Sequence, residues 1–218
     1  MIDLSVSGMA YNRFPNLDGV EDRVIYYLIS PTNKTPKELE RVHDIWKILC
    51  NNGADALNEE LPKYSDVTKL ICNGDGPQDG FRIFRSPHLE DGWTQECSLL
   101  KVYIDSIEPI DHIKSLVNIG IDVIVNTKII NLNMKEDEDQ YPIDVVDGVE
   151  IYAQTKSRVT ALVSAILGLL NGAEVAGVGK LIFSRKQSIL NQAQYGLWNN
   201  RAFEGMKIVI GVTMSGQD

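Results

Sequence analysis

Cysteine is scarce. Cys50, Cys72 and Cys97 are the only three in 218 residues, and no two form a C-x-x-C pair. That spacing suggests neither a zinc knuckle nor a disulfide framework, so free thiols are expected. Histidine is equally scarce. His88 stands near Glu90 and Asp91, but no second histidine lies at ligand spacing. The stretch after Pro87 therefore reads as a surface turn, and no metal or other cofactor is expected. Long apolar runs are missing too. The greasiest stretch, 159–170, contains Thr160 and Ser164 and falls short of the ~18 residues that a bilayer span needs. The opening "MIDLSVSGMAYNRF" has neither the basic nor the apolar segment of a secretory leader, so a cytosolic protein is expected. Basic residues are outnumbered, 21 against 30 acidic, which leaves a net charge of −9. Without a Lys/Arg cluster, such a chain does not hold nucleic acid by neutralising phosphates.

What is present suffices for one sizeable core, since 44% of the residues are hydrophobic. Helices come first. In "LDGVEDRVIYYLISP", Asp18 is a candidate N-cap, Val20, Val24, Tyr27 and Leu28 follow at helical spacing, and Pro31 ends the run. In "TPKELERVHDIWKILCNNG", Thr35 and Glu38 form a T-x-x-E capping box with Pro36 at the first helical position. Leu39, Val42, Trp46 and Leu49 make its stripe, and Asn51-Asn52-Gly53 is a stop. A third, short helix is expected from Ser65.

The middle of the chain is β. "FRIFR" (81–85) alternates, 97–107 is a longer strand, and 114–130 runs back after the turn "EPIDH". A link this short demands an antiparallel pair. Residues 133–148 carry the acidic run Glu136 to Asp139 and read as a mobile loop. A long helix is expected over about 151–171, with Val159, Leu162, Val163, Ile166, Leu169 and Leu170 inward. Strands at 178–184 and 206–214 close the chain. In the last, Met206, Ile208, Ile210, Val212 and Met214 share one face, while Lys207, Val209, Gly211 and Thr213 share a face that does not look fully solvated. The fold class is α+β: an antiparallel sheet covered by one long helix and preceded by an N-terminal helical pair. Residues 1–75 form the helical segment and 76–218 the sheet-and-helix domain, together one structural unit.

The search for chemistry returns little. "GAEVAGVGKL" lacks the first glycine of a phosphate loop, where Glu174 stands, and its Ser/Thr, where Leu181 stands. The acidic run lacks the alternation and glycine of a calcium loop. His43 and His112 have no nucleophile nearby in sequence, and no G-x-S-x-G elbow exists. No catalytic constellation emerges, and a non-enzyme is expected. The alternative is a small cytosolic enzyme or ligand-binding domain whose site draws on His88, Asp91, Asp122 and Asn126.

The layout resembles the phage tail-terminator and tail-completion proteins, small ring-forming proteins of the neck where head joins tail. "ECSLLKVYIDSIEP" and "KSLVNIGIDVIVNTKI" would supply the long hairpin, "QTKSRVTALVSAILGLLNG" the covering helix, and "GVGKLIFS" with "FEGMKIVIGVTM" the closing strands. The resemblance covers element order over roughly 80–215 and rests on no diagnostic motif. It implies a structural virion protein, assembled in the host cytoplasm as a homo-oligomeric ring of roughly six or twelve subunits. It implies docking to adjacent neck or tail rings, with DNA passing through unbound and no membrane partner. An acidic balance suits such a channel, because like charges repel phosphates.

The loop 185–205 is too long for an economical hairpin turn. It carries Tyr195, Leu197, Trp198 and Arg201, residue types enriched at protein contacts, and these four are the candidate subunit-contact residues. With Trp198 as the anchor of an arm reaching a neighbour, Trp198→Ala should leave the subunit folded by circular dichroism. It should weaken assembly by about 2 kcal/mol or more in sedimentation. Outright unfolding would place the side chain in the subunit's own core instead.

Overall fold

The computed structural model describes residues 15–73, 80–86, 95–111, 113–135, 144–146, 149–151, 154–183 and 202–215. Helix α1 (Val20–Ile29) starts from Gly19, not from Asp18. Gly19 sits at φ 69°, a left-handed conformation that glycine adopts without strain, so the chain turns into the helix one residue later than the polar residue suggests. Helix α2 (Pro36–Cys50) is built as its sequence predicts. The Thr35 hydroxyl accepts the Glu38 N–H at 3.3 Å, and a Glu38 carboxylate oxygen accepts the Thr35 N–H at 2.8 Å. Trp46 Nε1 donates to Ile29 O at 3.0 Å and ties the two helices together. Helix α3 (Tyr64–Thr68) is a single short turn with Val67 buried.

Seven strands follow: β1 (Ile83–Phe84), β2 (Ser98–Pro109), β3 (Lys114–Asn126), β4 (Asn131–Asn133), β5 (Asp144–Val146), β6 (Val149–Ile151) and β7 (Thr155–Ser157). Helix α4 (Arg158–Leu170) comes next, then β8 (Glu174–Val175), β9 (Gly179–Lys180) and β10 (Phe203–Ser215). The main sheet has the order β1-β2-β3-β10. Strands β2 and β3 form the expected antiparallel hairpin. Its turn is held by Asp111 Oδ1, which accepts the N–H groups of Ile113 at 2.8 Å and Lys114 at 2.7 Å. Strand β10 pairs antiparallel with β3 along its whole length, from Phe203 opposite Asn126 to Ser215 opposite Lys114.

Four expectations need correction. Strand β1 is only two residues long and runs parallel to β2, so the sheet is not purely antiparallel. The 85–97 connection is long enough to carry the chain back for a parallel pairing. The helix expected from 151 begins at Arg158, because the residues before it are committed to strands: β6 pairs with β5, and β7 pairs with β4. Residues 178–184 do not add a full strand. Leu181 is buried and exchanges hydrogen bonds with the exit of α4, from Gly172 N to its carbonyl and from its N–H to Ala173 O. Among the described residues of this segment, Ile182 is the one that bridges to β10 through backbone hydrogen bonds, with Gly211. The interval 133–148 contains the end of β4 and all of β5, while Glu136 to Asp139 lie outside the described residues.

One sheet face carries Val102, Val117, Ile119, Ile121, Val123, Val125, Ile208, Ile210 and Val212, all in the main core cluster. The same cluster takes in Val24 and Leu28 of α1, Val42, Ile45 and Leu49 of α2, and Leu162, Ile166 and Leu170 of α4. The cover is therefore a layer shared by three helices: α4 touches β3 and β10, α1 touches β2, and α2 packs along α4.

Arg158 joins this layer to the sheet. Its side chain is fully buried, and all five of its donors are used on backbone carbonyls. Nε donates to Ile129 O at 2.8 Å. Nη1 donates to Ile48 O at 3.1 Å and Asn51 O at 2.8 Å, and Nη2 to Asn52 O at 3.2 Å and Gly53 O at 2.7 Å. Burial pulls its pKa down to about 10. The carbonyls at the end of α2 carry the negative end of the helix dipole and offset part of that penalty. Arg158→Met should strand these acceptors and cost about 3 kcal/mol or more in urea unfolding. Arg158→Lys, with three donors in place of a planar five, should not restore it. Ile166→Ala should open a core cavity and cost about 2–5 kcal/mol, and an unchanged urea midpoint would refute the helix packing.

Candidate functional site

The other sheet face is where polar chemistry collects. Alternation puts Leu99, Lys101 and Tyr103 of β2 opposite in direction to Leu100, Val102 and Ile104. Register then lines up rows across three strands: Leu99, Ile124 and Gly205; Lys101, Asp122 and Lys207; Tyr103, Gly120 and Val209. Leu99 and Ile124 of the first row belong to a small apolar cluster with Phe84, Cys97 and Phe203. The second is charged; Lys101 and Asp122 are out of solvent, at 1% and 2% exposed, and Lys207 is half-buried.

Lys101 Nζ lies 3.8 Å from Asp122 Oδ2, and the Tyr103 hydroxyl donates to Asp122 Oδ1 at 3.0 Å. Burial lowers the Lys101 pKa, and the neighbouring Asp122 charge works against that. Burial, with the same carboxylate, pushes the Tyr103 phenol up to about 12. Tyr103 lies over Gly120, where a Cβ would come within 2.8 Å of the ring. Glycine at 120 is thus what lets the ring lie flat beside Asp122. Lys207 pairs with Asp105, at the irregularity between Ile104 and Ser106, and lies 5.4 Å from the Tyr103 ring centre. Further along, Asn118 Nδ2 donates to Ser106 Oγ at 2.9 Å and Glu108 Oε1 at 3.1 Å.

Of the residues that the sequence nominated, Asp122 and Asn126 share this face but not a task. Asn126 Oδ1 accepts the Lys128 N–H at 3.0 Å and its Nδ2 donates to Gln95 O at 3.3 Å, so it shapes the turn that leaves β3. His88, Asp91 and His112 lie outside the described residues, as do Tyr195, Leu197, Trp198 and Arg201. Single polar residues in a strand carry no motif, so the sequence alone does not single out Lys101 and Tyr103; the signal is their alternation with Leu100 and Val102.

A second feature was also missed. Between α2 and α4 lies a groove of about 450 Å³, lined by Glu40, Arg41, Asp44, Lys135, Lys156 and Ser164 among others. Lys135 Nζ bridges Glu40 at 2.7 Å and Asp44 at 3.0 Å. Burial raises the Asp44 pKa against the pull of Lys135, whereas the hydrogen bond from Lys135 lowers that of Glu40. Arg41 Nη1 donates to Gly168 O at 2.5 Å. The visible signal was the spacing of Lys37, Glu40, Arg41 and Asp44, a polar stripe on one side of α2. Among the described residues, no three His, Cys, Asp or Glu side chains are placed to hold a metal ion.

The third feature is the outer edge of β10. Ile182 and Gly211 exchange both backbone hydrogen bonds, at 2.9 and 3.2 Å, so Gly211 points away from β3. By alternation Gly205, Lys207 and Val209 point the same way, and no described residue pairs with their backbone groups.

These features define an α+β chain with one shared core, a buried polar row and a long edge strand. The YomW family model matches residues 43–210, from within α2 to within β10, and the chain belongs to that phage-derived family. No curated protein and no solved structure matches it. Among the described residues, no helix is long and apolar enough to cross a membrane.

Tyr103→Phe should remove a hydrogen bond to a buried carboxylate and cost about 1–3 kcal/mol. Gly120→Ala should dislodge the same ring at a similar cost of about 1–3 kcal/mol. If the two act through one contact, the double variant in urea denaturation will cost clearly less than their sum; strict additivity would separate them.

Proposed function

We propose that the protein is a structural virion component of a tailed phage that closes into a homo-oligomeric ring of the neck or tail end. The observation that carries this reading is the outer edge of β10, a 13-residue strand with successive outward backbone groups at Gly205, Lys207 and Val209. Such an edge is a template for pairing with another chain. Membership of a phage-derived family supplies the setting. The net charge of −9 suits a lumen through which DNA passes without adhering. In this reading the role is structural and not catalytic, and the charged side chains of the sheet, Lys101 with Asp122 and Lys207 with Asp105, serve to tie strands together. The partners are further copies of the chain, roughly six or twelve per ring, and adjacent neck or tail rings. In this reading the candidate contact residues Tyr195, Leu197, Trp198 and Arg201 contribute to those contacts.

A second reading, a small enzyme or ligand-binding domain, has the α2–α4 groove in its favour. Oligomeric state separates the two. Sedimentation velocity and negative-stain microscopy should find closed rings of one size, and amide exchange at 205, 207 and 209 should slow on assembly. A protein that stays monomeric at high concentration and saturably binds a small ligand in the groove would overturn the ring.

A further inference from the structure

We infer that Lys101 and Asp122 are the two halves of an intramolecular isopeptide bond, formed between Lys101 Nζ and Asp122 Cγ with release of one water. The residues stand directly opposite each other on β2 and β3, the central strands of the sheet. Both are almost fully buried. Their 3.8 Å separation is ion-pair contact, but longer than an N–H···O hydrogen bond. That contact brings Lys101 Nζ to within 3.8 Å of an oxygen on Cγ, the carbon that the amine would attack.

The chemistry balances without any further reagent. A proton passes from the Lys101 ammonium to Asp122 Oδ2, leaving an amine beside a carboxylic acid. The lowered pKa of Lys101 works in the same direction. The amine lone pair attacks Cγ, and negative charge develops on Oδ1. The Tyr103 hydroxyl already donates to that atom at 3.0 Å and stabilises the charge as it grows. Oδ2 departs as water, carrying the transferred proton and a second from Nζ. The product is one secondary amide in place of two buried charges. Gly120 serves the reaction as a positioning residue, because any Cβ there would displace the Tyr103 ring.

The test is the intact mass of the denatured, purified full chain. It should be lighter than the sequence by one water, and trypsin should fail at Lys101 and release the segments around 101 and 122 as one branched peptide. Lys101→Arg, checked for folding by circular dichroism, should show its full sequence mass. Asp122→Asn should lose one ammonia instead and give the same amide. Tyr103→Phe should slow the mass loss by about 100-fold, the usual effect of deleting one oxyanion donor. A wild-type chain that keeps its full mass after prolonged incubation would overturn the proposal. So would a water loss that leaves Lys101 cleavable, because that result is a succinimide at the aspartate.

Discussion

Five carbonyl oxygens converge on one guanidinium, and the architecture depends on that convergence. Arg158 takes Ile48, Asn51, Asn52 and Gly53 from the end of α2 and Ile129 from the turn after β3, while itself beginning α4. The last carbonyls of a helix need partners, and a buried helix end without them is costly. Here the partner is a side chain from more than a hundred residues away. One residue thus settles where α2 stops, how β3 is left and where α4 starts, which sets how the helical layer lies on the sheet. The interaction needs a planar fork with five donors, and arginine is the only side chain that has one.

The sheet that this clamp positions is buried on both faces, and the two faces are unlike. Beneath the helices it is mainly aliphatic, with Ser98 and Ser115 near its ends, a surface that any antiparallel sheet must hide. On the other side, an apolar cluster grades into the Lys101–Asp122 row and then into the Asn118–Ser106–Glu108 contacts. Buried polar groups of this kind tolerate few alternative registers, since a slip of one residue would exchange the two faces. The polar row therefore holds β2, β3 and β10 in a single alignment. That alignment aims the outward groups of β10 at a neighbour in the proposed ring.

Much of this was legible in the residues. The capping box of α2, the Asn51-Asn52-Gly53 stop, the β2–β3 hairpin, the inner stripe of α4 and the period-two pattern of β10 each depend on residues a few positions apart. The suspicion that Lys207, Val209, Gly211 and Thr213 lie on a face not fully solvated was sound for Val209 and Gly211, which are buried, whereas Thr213 is exposed. Less legible were the short elements. The two-residue β1 and the three-residue β6 and β7 carry too few residues for periodicity to show, and β1 and β7 pair with strands more than ten residues away. The start of α4 was misplaced for the same reason, since an apolar stretch beginning "VEIYA" suits helix or strand until its partners are known.

By itself the sequence determined the α+β class, the long elements and which sides of them are apolar, because propensity, capping and periodicity act over one or two turns of chain. Only the tertiary structure decided the rest. Lys101 and Asp122 are polar residues in separate strands until the Asp111 turn sets the register that faces them across the hairpin. Arg158 is one basic residue before an apolar stretch until the end of α2 arrives to receive it. Both depend on which carbonyl or carboxylate a fold brings within about 3–4 Å, and hydrogen-bond and ion-pair energies exist only at that range.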